Sequence, residues 1–396
     1  MNIRRALDRL QDISISAVIA GFVSVLVGYS SAAVIVFQAA QALGATEAQI
    51  NSWMWALGIG LGLTTMWLSL RYRAPVVTAW STPGAAMLMT SAAKVSLAEG
   101  IGAFLIAAGL ITLCGLTGWF ERAMSRVPLS IAAALLAGVL LRFGLNIFIA
   151  METQFWMVFA MLCAYLVAYR RWSRYAVLIA LVVGIAIAAW QGHLQLHTLR
   201  LQMATPVLMR PQFSLSAIVG VALPLFAVTM ASQNVPGVAV LRASGYDRVP
   251  ISPLISWTGI ATLLLAPFGA FAMNLAAITA AICMGPEAHR DPDKRYVAAV
   301  TAGMFYLLIG IFGATVGALF TALPQALVMA IAGLALLSTI GKGLATALIQ
   351  AADREPALIT FLVTASGVTL WGIGSAFWGL VAGALVLGLV RLQPLQ

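Results

Sequence analysis

The chain has 396 residues, 62% of them hydrophobic and only 9% charged, with a mean hydropathy of +0.99. That balance excludes a soluble enzyme or regulatory domain and indicates a polytopic, all-helical membrane protein. The net charge of +10 does not indicate nucleic acid, because the basic residues stand in small groups between apolar runs, where they set topology.

In chain order, Arg4-Arg5 before an apolar run imitates an export signal, but no charge follows Ile13 until Glu47. That run is too long for a signal peptide, so a retained first span is expected at about 13–37. Further spans follow at about 49–70, 75–93, 98–119, 128–149, 153–169 and 174–190. A polar stretch, 191–212, precedes seven more at about 214–241, 251–266, 267–285, 296–319, 322–341, 356–370 and 372–390. With both termini in the cytoplasm, every Lys and Arg except Lys94, Arg142, Arg200 and Arg210 falls on the inner side. Fourteen spans in a bacterial cytoplasmic membrane are therefore expected.

The third span cannot be one ordinary helix. Pro75-Val76-Val77-Thr78-Ala79-Trp80 is β-prone, and Pro83 biases Thr82 away from helical geometry, so a helix can begin only there. Ser81-Thr82-Pro83 reads as a hydroxyl cap with proline in the first turn. Such a strand followed by a half-helix presents bare N–H groups to the membrane interior and can hold an anion without a buried charge.

The device recurs at 267–285, where aligning Pro75 with Pro267 sets Thr82 against Asn274, both read as caps. SISAVIAGF from Ser14 likewise matches SLSAIVGVA from Ser214, and Gly44 matches Gly245. Seven spans per half is an odd number, so the second copy crosses in the opposite sense. That inverted repeat is the architecture of an alternating-access carrier.

All twelve carboxylates fall in loops or at span ends, and no motif for a metal, cofactor or hydrolytic site is present, which argues against a membrane enzyme. Cys114, Cys163 and Cys283 lack metal or disulfide spacing and read as packing residues. His193, His197 and His289 are in loops. In the eighth span, Ser232, Gln233 and Asn234 form an uncharged cluster before Pro236-Gly237, suited to substrate contact, proton coupling or hydrogen bonding between helices. Tyr29-Ser30-Ser31 occupies the matching position in the first copy. The expected binding set therefore comprises Tyr29, Ser30, Ser31, Thr82, Pro83, Gly84, Phe226, Ser232, Gln233, Asn234, Phe271, Asn274, Leu275 and Ala276. Trp80, Phe226 and Phe271 offer ring faces that suit either an aromatic ligand or packing. Arg142 either snorkels to the interface or attracts an entering carboxylate. In PEAHRDPDKRY, Glu287 and His289 are candidates to handle a proton, although the charge density reads as a solvated loop.

TAWSTPGAA at 78–86, AGVLLRFGL at 137–145 and LPLFAVTMASQNVPGVAVLRASGY at 223–246 resemble the benzoate membrane transport family, the benzoate:proton symporters. AAITAAICMGPEAH at 276–289, AGLALLSTI at 332–340, and FLVTASG with GIGSAFWGL within 361–380 extend that resemblance to the C-terminus. The resemblance implies the seven-plus-seven inverted repeat of uracil permeases and sulfate-type transporters. A core domain, 13–120 and 214–320, would face a gate domain, 121–191 and 321–391, with an external linker at 192–213 and a homodimer through the gate. Unlike the nucleobase carriers, the chain lacks acidic residues in spans 8 and 10, which suits an anionic substrate. It implies proton-coupled symport of a small aromatic carboxylate, with an inorganic anion or nucleobase as the alternative solute.

Overall fold

The computed structural model describes residues 12–91, 95–172, 175–192, 203–313, 323–368, 370 and 375–392. The first half contains α1 (Ile15–Ala42), α2 (Glu47–Tyr72), strand β1 (Thr78–Trp80), α3 (Thr82–Ser91), α4 (Leu97–Leu116) and the short α5 (Trp119–Met124). It continues with α6 (Leu129–Trp172), broken at Gln154 (φ −140°, ψ 59°), and α7 (Ala176–Trp190). The second half has α8 (Leu215–Ala243), α9 (Ile251–Leu265), β2 (Met273–Leu275) and α10 (Ile278–Met284). It closes with α11 (Tyr296–Ile311), α12 (Gln325–Leu348), α13 (Arg354–Ser366) and α14 (Ser375–Leu392). Among the described residues, seven helices are long and apolar enough to cross a membrane. The other expected crossings are shorter, broken, or partly outside the described residues.

The two halves open and turn alike. Ser14 and Ser214 cap α1 and α8 from extended backbone (φ −128° and −127°), each accepting the N–H three residues on, of Ala17 and Ala217, at 3.2 Å. Gly44 and Gly245 end the same helices with φ of 79° and 88°, where a side chain would strain. Other ends are closed less symmetrically. Capping boxes start α2 at Thr46–Gln49 and α4 at Ser96–Glu99. Pro250 cannot cap α9, and Glu121 does so from α5, accepting the N–H groups of Ile251 at 3.1 Å and Ser252 at 2.9 Å.

Small residues set the helix crossings. A Cβ on Gly58 would lie 2.5 Å from the Cα of Gly310, so α2 and α11 meet backbone to backbone. The α4–α9 crossing is built the same way, with Gly115 against Ser256 and Gly259 against Thr112. These pairings gather α1–α4 and α8–α11 into one set, while α6 packs most heavily on α12 and joins α7, α13 and α14 in another. Where described, the linker is pinned over the first set: Val207 N–H to Ser52 Oγ, Ala204 N–H to Ile311 O, Met209 N–H to Pro267 O and Gln212 N–H to Ala98 O.

Of the carboxylates placed in loops or at span ends, Asp12, Glu287 and Asp353 are nevertheless buried, which corrects the reading of the PEAHRDPDKRY stretch as solvated at Glu287. Asp12 is held by Arg73 at 3.0 Å, Lys294 at 3.4 Å and the Tyr296 hydroxyl at 2.8 Å. Asp353 accepts the Ser130 hydroxyl at 2.7 Å. Glu287 has no such partner. Cys163 is exposed on α6 and so is not the packing residue expected.

Partial burial pushes the Glu121 carboxyl up, but the Ser252 and Ile251 hydrogen bonds and the Arg242 charge outweigh it and hold the group below the ordinary carboxylate range. Its contribution is therefore present above the ordinary carboxylate pKa and lost as pH falls. Glu121→Ala is expected to cost about 1 kcal/mol, read as a lower thermal midpoint in detergent. The gap from wild type should close when both are melted below about pH 4; a gap that persists there would reject the trans cap.

Candidate functional site

The site is built on backbone that no regular helix satisfies. β1 and β2 pair antiparallel with Thr78 opposite Leu275, Ala79 opposite Asn274 and Trp80 opposite Met273. Because the strands run in opposite senses, α3 and α10 leave the ladder in opposite directions with their N-terminal ends nearest it. The first N–H of each strand is taken by a threonine on the preceding helix: Thr78 donates to Thr65 Oγ1 at 3.0 Å, and Met273 to Thr262 Oγ1 at 3.1 Å. Ala276 N–H extends the pairing to Val77 O at 2.9 Å. Every such bond is needed, since a bare peptide group in hydrocarbon costs several kcal/mol.

The third arm comes from α8. Met230–Asn234 forms a π turn, closed by Val235 N–H to Met230 O, and ends two residues before Pro236. A second π turn, Ile218–Ala222, ends two residues before Pro224. Each wide turn moves aside the carbonyl that the proline ring would strike. It also aims Asn234, fully buried, at β2, where its Oδ1 accepts the Leu275 N–H at 2.9 Å. Gly237 allows this approach, since a Cβ there would lie 2.7 Å from the Leu275 Cβ.

Several assignments from sequence shift by a few residues. The cap of α3 is Ser81, not Thr82: Ser81 Oγ accepts the Gly84 N–H at 3.1 Å and its carbonyl accepts that of Ala85 at 2.8 Å. Pro83 has no N–H, so the described contacts leave only that of Thr82 open to a ligand. Asn274 is no cap either. It lies in β2, its Nδ2 donates to Ala272 O at 2.9 Å across a backbone held at φ 40°, and its Oδ1 has no partner. The residue before α10 is Ala277, and no side chain caps that helix. The matching point is therefore displaced from the Pro75–Pro267 alignment, because β2 begins three residues later than β1 in that register and enters α10 through Ala276 and Ala277, where Ser81 alone joins β1 to α3.

The aromatic candidates separate. Tyr29 of α1 meets Trp80 of β1 edge to face, centroids 6.0 Å apart. Phe226 is half-buried on α8. Phe271 is fully buried against Trp53 and Phe104, with centroids 5.7 Å from each, and no face remains for a ligand in this conformation. Ser232 is buried within the π turn, and Gln233 is half-buried. Pro83 and Gly84 open α3, while Leu275 and Ala276 are buried at the ladder. Arg142 is exposed on α6. His289 is partly exposed, its Nδ1 accepting the Asp291 N–H at 3.0 Å. The side chains of Ser30 and Ser31, and the whole of Lys94, His193, His197 and Arg200, lie outside the described residues.

Sequence reading missed Ser24, whose hydroxyl donates to Thr279 O at 3.0 Å and ties α1 to the first turn of α10. Beside it Gly28 leaves room for the buried Tyr306, so α11 reaches the same place. A serine inside an apolar helix gives no local signal of its partner.

This arrangement, two strand-and-helix breaks paired within a helical bundle, is a fold shared with solved membrane proteins. The chain superposes on the overall structure of SLC26A9 with a TM-score of 0.50 at 13% identity, covering 96% of this chain and 66% of that one. It matches the transmembrane domain of the cyanobacterial bicarbonate transporter BicA equally, with a TM-score of 0.50 at 14% identity over 93% and 97% of the two chains. Residues 11–389 match the family described as benzoate membrane transport protein, and the chain belongs to that family. Among its relatives, the inner membrane protein YdcO of Escherichia coli (strain K12) is 50% identical, covering 95% of this chain and 96% of its own. The benzoate membrane transport protein of Acinetobacter baylyi (strain ATCC 33305 / BD413 / ADP1) is 43% identical over 95% of each. The protein is an integral membrane transporter and not an enzyme.

Asn234→Ala leaves the Leu275 N–H buried without an acceptor, at an expected cost of about 1–3 kcal/mol. Its thermal midpoint in detergent should fall accordingly, and a midpoint equal to wild type would show that the strand does not depend on this amide.

Proposed function

We propose that the chain moves benzoate or a similar small aromatic carboxylate together with a proton, as a secondary transporter working by alternating access. The observation that carries this reading is family membership with a relative named for benzoate transport that aligns over nearly the whole of both chains. The site is consistent with it. The ladder region offers the open Thr82 N–H at a helix start, the buried amide of Asn274 and an aromatic pair, with no carboxylate to repel an anion.

The carboxylate would sit at Thr82, Pro83 and Gly84 and along Asn274, Leu275 and Ala276, with Ser232 and Gln233 completing the polar wall. Tyr29, Trp80 and Phe226 would line the ring, beside Ser30 and Ser31. Asn234 acts through β2, which it positions. Fourteen crossings in two inverted halves are supported by the matching caps at Ser14 and Ser214 and by the α2–α11 and α4–α9 crossings, which exchange under that symmetry. The set α1–α4 with α8–α11 is the moving core and the set α6, α7 and α12–α14 the gate, through which two copies would pair. Both termini face the cytoplasm, and proton entry offsets the cost of carrying an anion against an inside-negative potential.

Labelled benzoate should accumulate in proteoliposomes under an inward proton gradient, and unlabelled benzoate inside should drive counterflow, as for a carrier and not a pore. Uptake competed by sulfate, bicarbonate or uracil and indifferent to benzoate would reassign the substrate within the same fold.

A further inference from the structure

A second polar site lies away from the ladder, between the two helix sets. The turn after α10 places Glu287 at 6% exposure. Neither carboxylate oxygen has a hydrogen-bond partner. The Ser338 hydroxyl of α12 faces it without bonding geometry, and the Thr339 hydroxyl beside it is also unpartnered. The carboxylate borders a cleft of about 10 Å³, room for about one water, lined by Ser16 of α1, Ile282 of α10, Val177 of α7 and Ala335 of α12. Two of these helices belong to the core and two to the gate, so the cleft opens or closes as the sets move.

Among the described residues, no cation is bonded to this group. Arg295, itself buried, spends its guanidinium on the carbonyls of Met284 at 2.8 Å and His289 at 2.8 Å, which stiffens the turn instead. Lys342 of α12 is exposed and acts only at a distance. From α6 the facing group is the buried Tyr165, while His289 of the same turn bonds Asp291 instead; among the described residues lining the cleft, α1 and α7 contribute no ionisable side chain. An unpaired buried carboxylate with these neighbours is tolerated only when neutral.

We propose that Glu287 is the residence of the coupled proton, binding it from water in the cleft when the core and gate stand apart and carrying it as a neutral carboxyl when they close. The step is acid–base only: one proton from water adds to a carboxylate oxygen, and the same proton is returned to water when the cleft reopens. Burial pushes the Glu287 carboxyl above the ordinary carboxylate range, with Ser338, Lys342 and Arg295 opposing. The closed arrangement therefore binds the proton more tightly than the open one. It is favoured below the raised value and lost as pH climbs through it. This makes the proton a condition for reorientation and separates its site from the substrate's. The inference rests on the transporter reading above.

The test is Glu287→Gln in proteoliposomes, a permanently neutral isostere. Benzoate exchange should persist and lose its dependence on pH, while accumulation under an inward proton gradient falls to simple equilibration. Ser338→Ala, which removes the one opposing hydroxyl, should move the midpoint of the wild-type pH profile upward. Continued gradient-driven accumulation by Glu287→Gln overturns the proposal, as does loss of exchange in a variant that elutes and melts like wild type. Should Glu287→Gln fail to fold, infrared spectra of wild type and Glu287→Asp decide: a protonated-carboxyl band that shifts between them supports the site, and its absence rejects it. Failure of wild-type exchange itself would instead remove the benzoate reading.

Discussion

The structure depends on one constraint: peptide groups inside a membrane must be hydrogen-bonded, and two short strands cannot do this alone. The three-pair ladder of β1 and β2 has edges, and each edge is finished by a side chain from elsewhere. Thr65, Thr262 and Asn234 all accept strand N–H groups. The polar residues in these otherwise apolar helices are there because the ladder is. With those edges closed, the buried polar atoms left without a partner among the described residues include Asn274 Oδ1 beside the ladder.

Much of this was visible in the sequence where the signal is local. Pro75 and the β-branched run announce β1, and Pro83 fixes the start of α3 to within one residue. The proline of VPG warned of a loosened α8, although the loosening takes the form of a π turn one step earlier. Ser14 and Ser214 were legible as related openings because a helix cap is a short, self-contained pattern. What failed was non-local. Asn274 has the residue type of a cap, but its place in β2 is set by Asn234 and by a ladder partner in the other half. Glu121 looks like a loop charge, and its work is to close a helix distant in sequence. Glu287 sits in the most charged stretch of the second half, which argues for water; α6, α7 and α12, which cover it, are far away in the chain.

Phe271 shows the same limit for apolar residues. A phenylalanine near a break in a transporter is equally a wall of the ligand chamber or a wedge behind it, and only the Trp53–Phe104 contacts decide for the wedge. Gly269 supports that cluster, since its φ of 102° and the indole of Trp53 above it both exclude a side chain.

The linker ties the ends of α2, α4, α9 and α11 with four of its N–H groups, three bonded to main-chain carbonyls and one to the Ser52 hydroxyl, and none of them reaches the α6–α12 side. Such a strap is a lashing across one of the two helix sets. Through it a displacement of any one of those four helix ends is passed to the other three, while the α6–α12 side stays outside the tie.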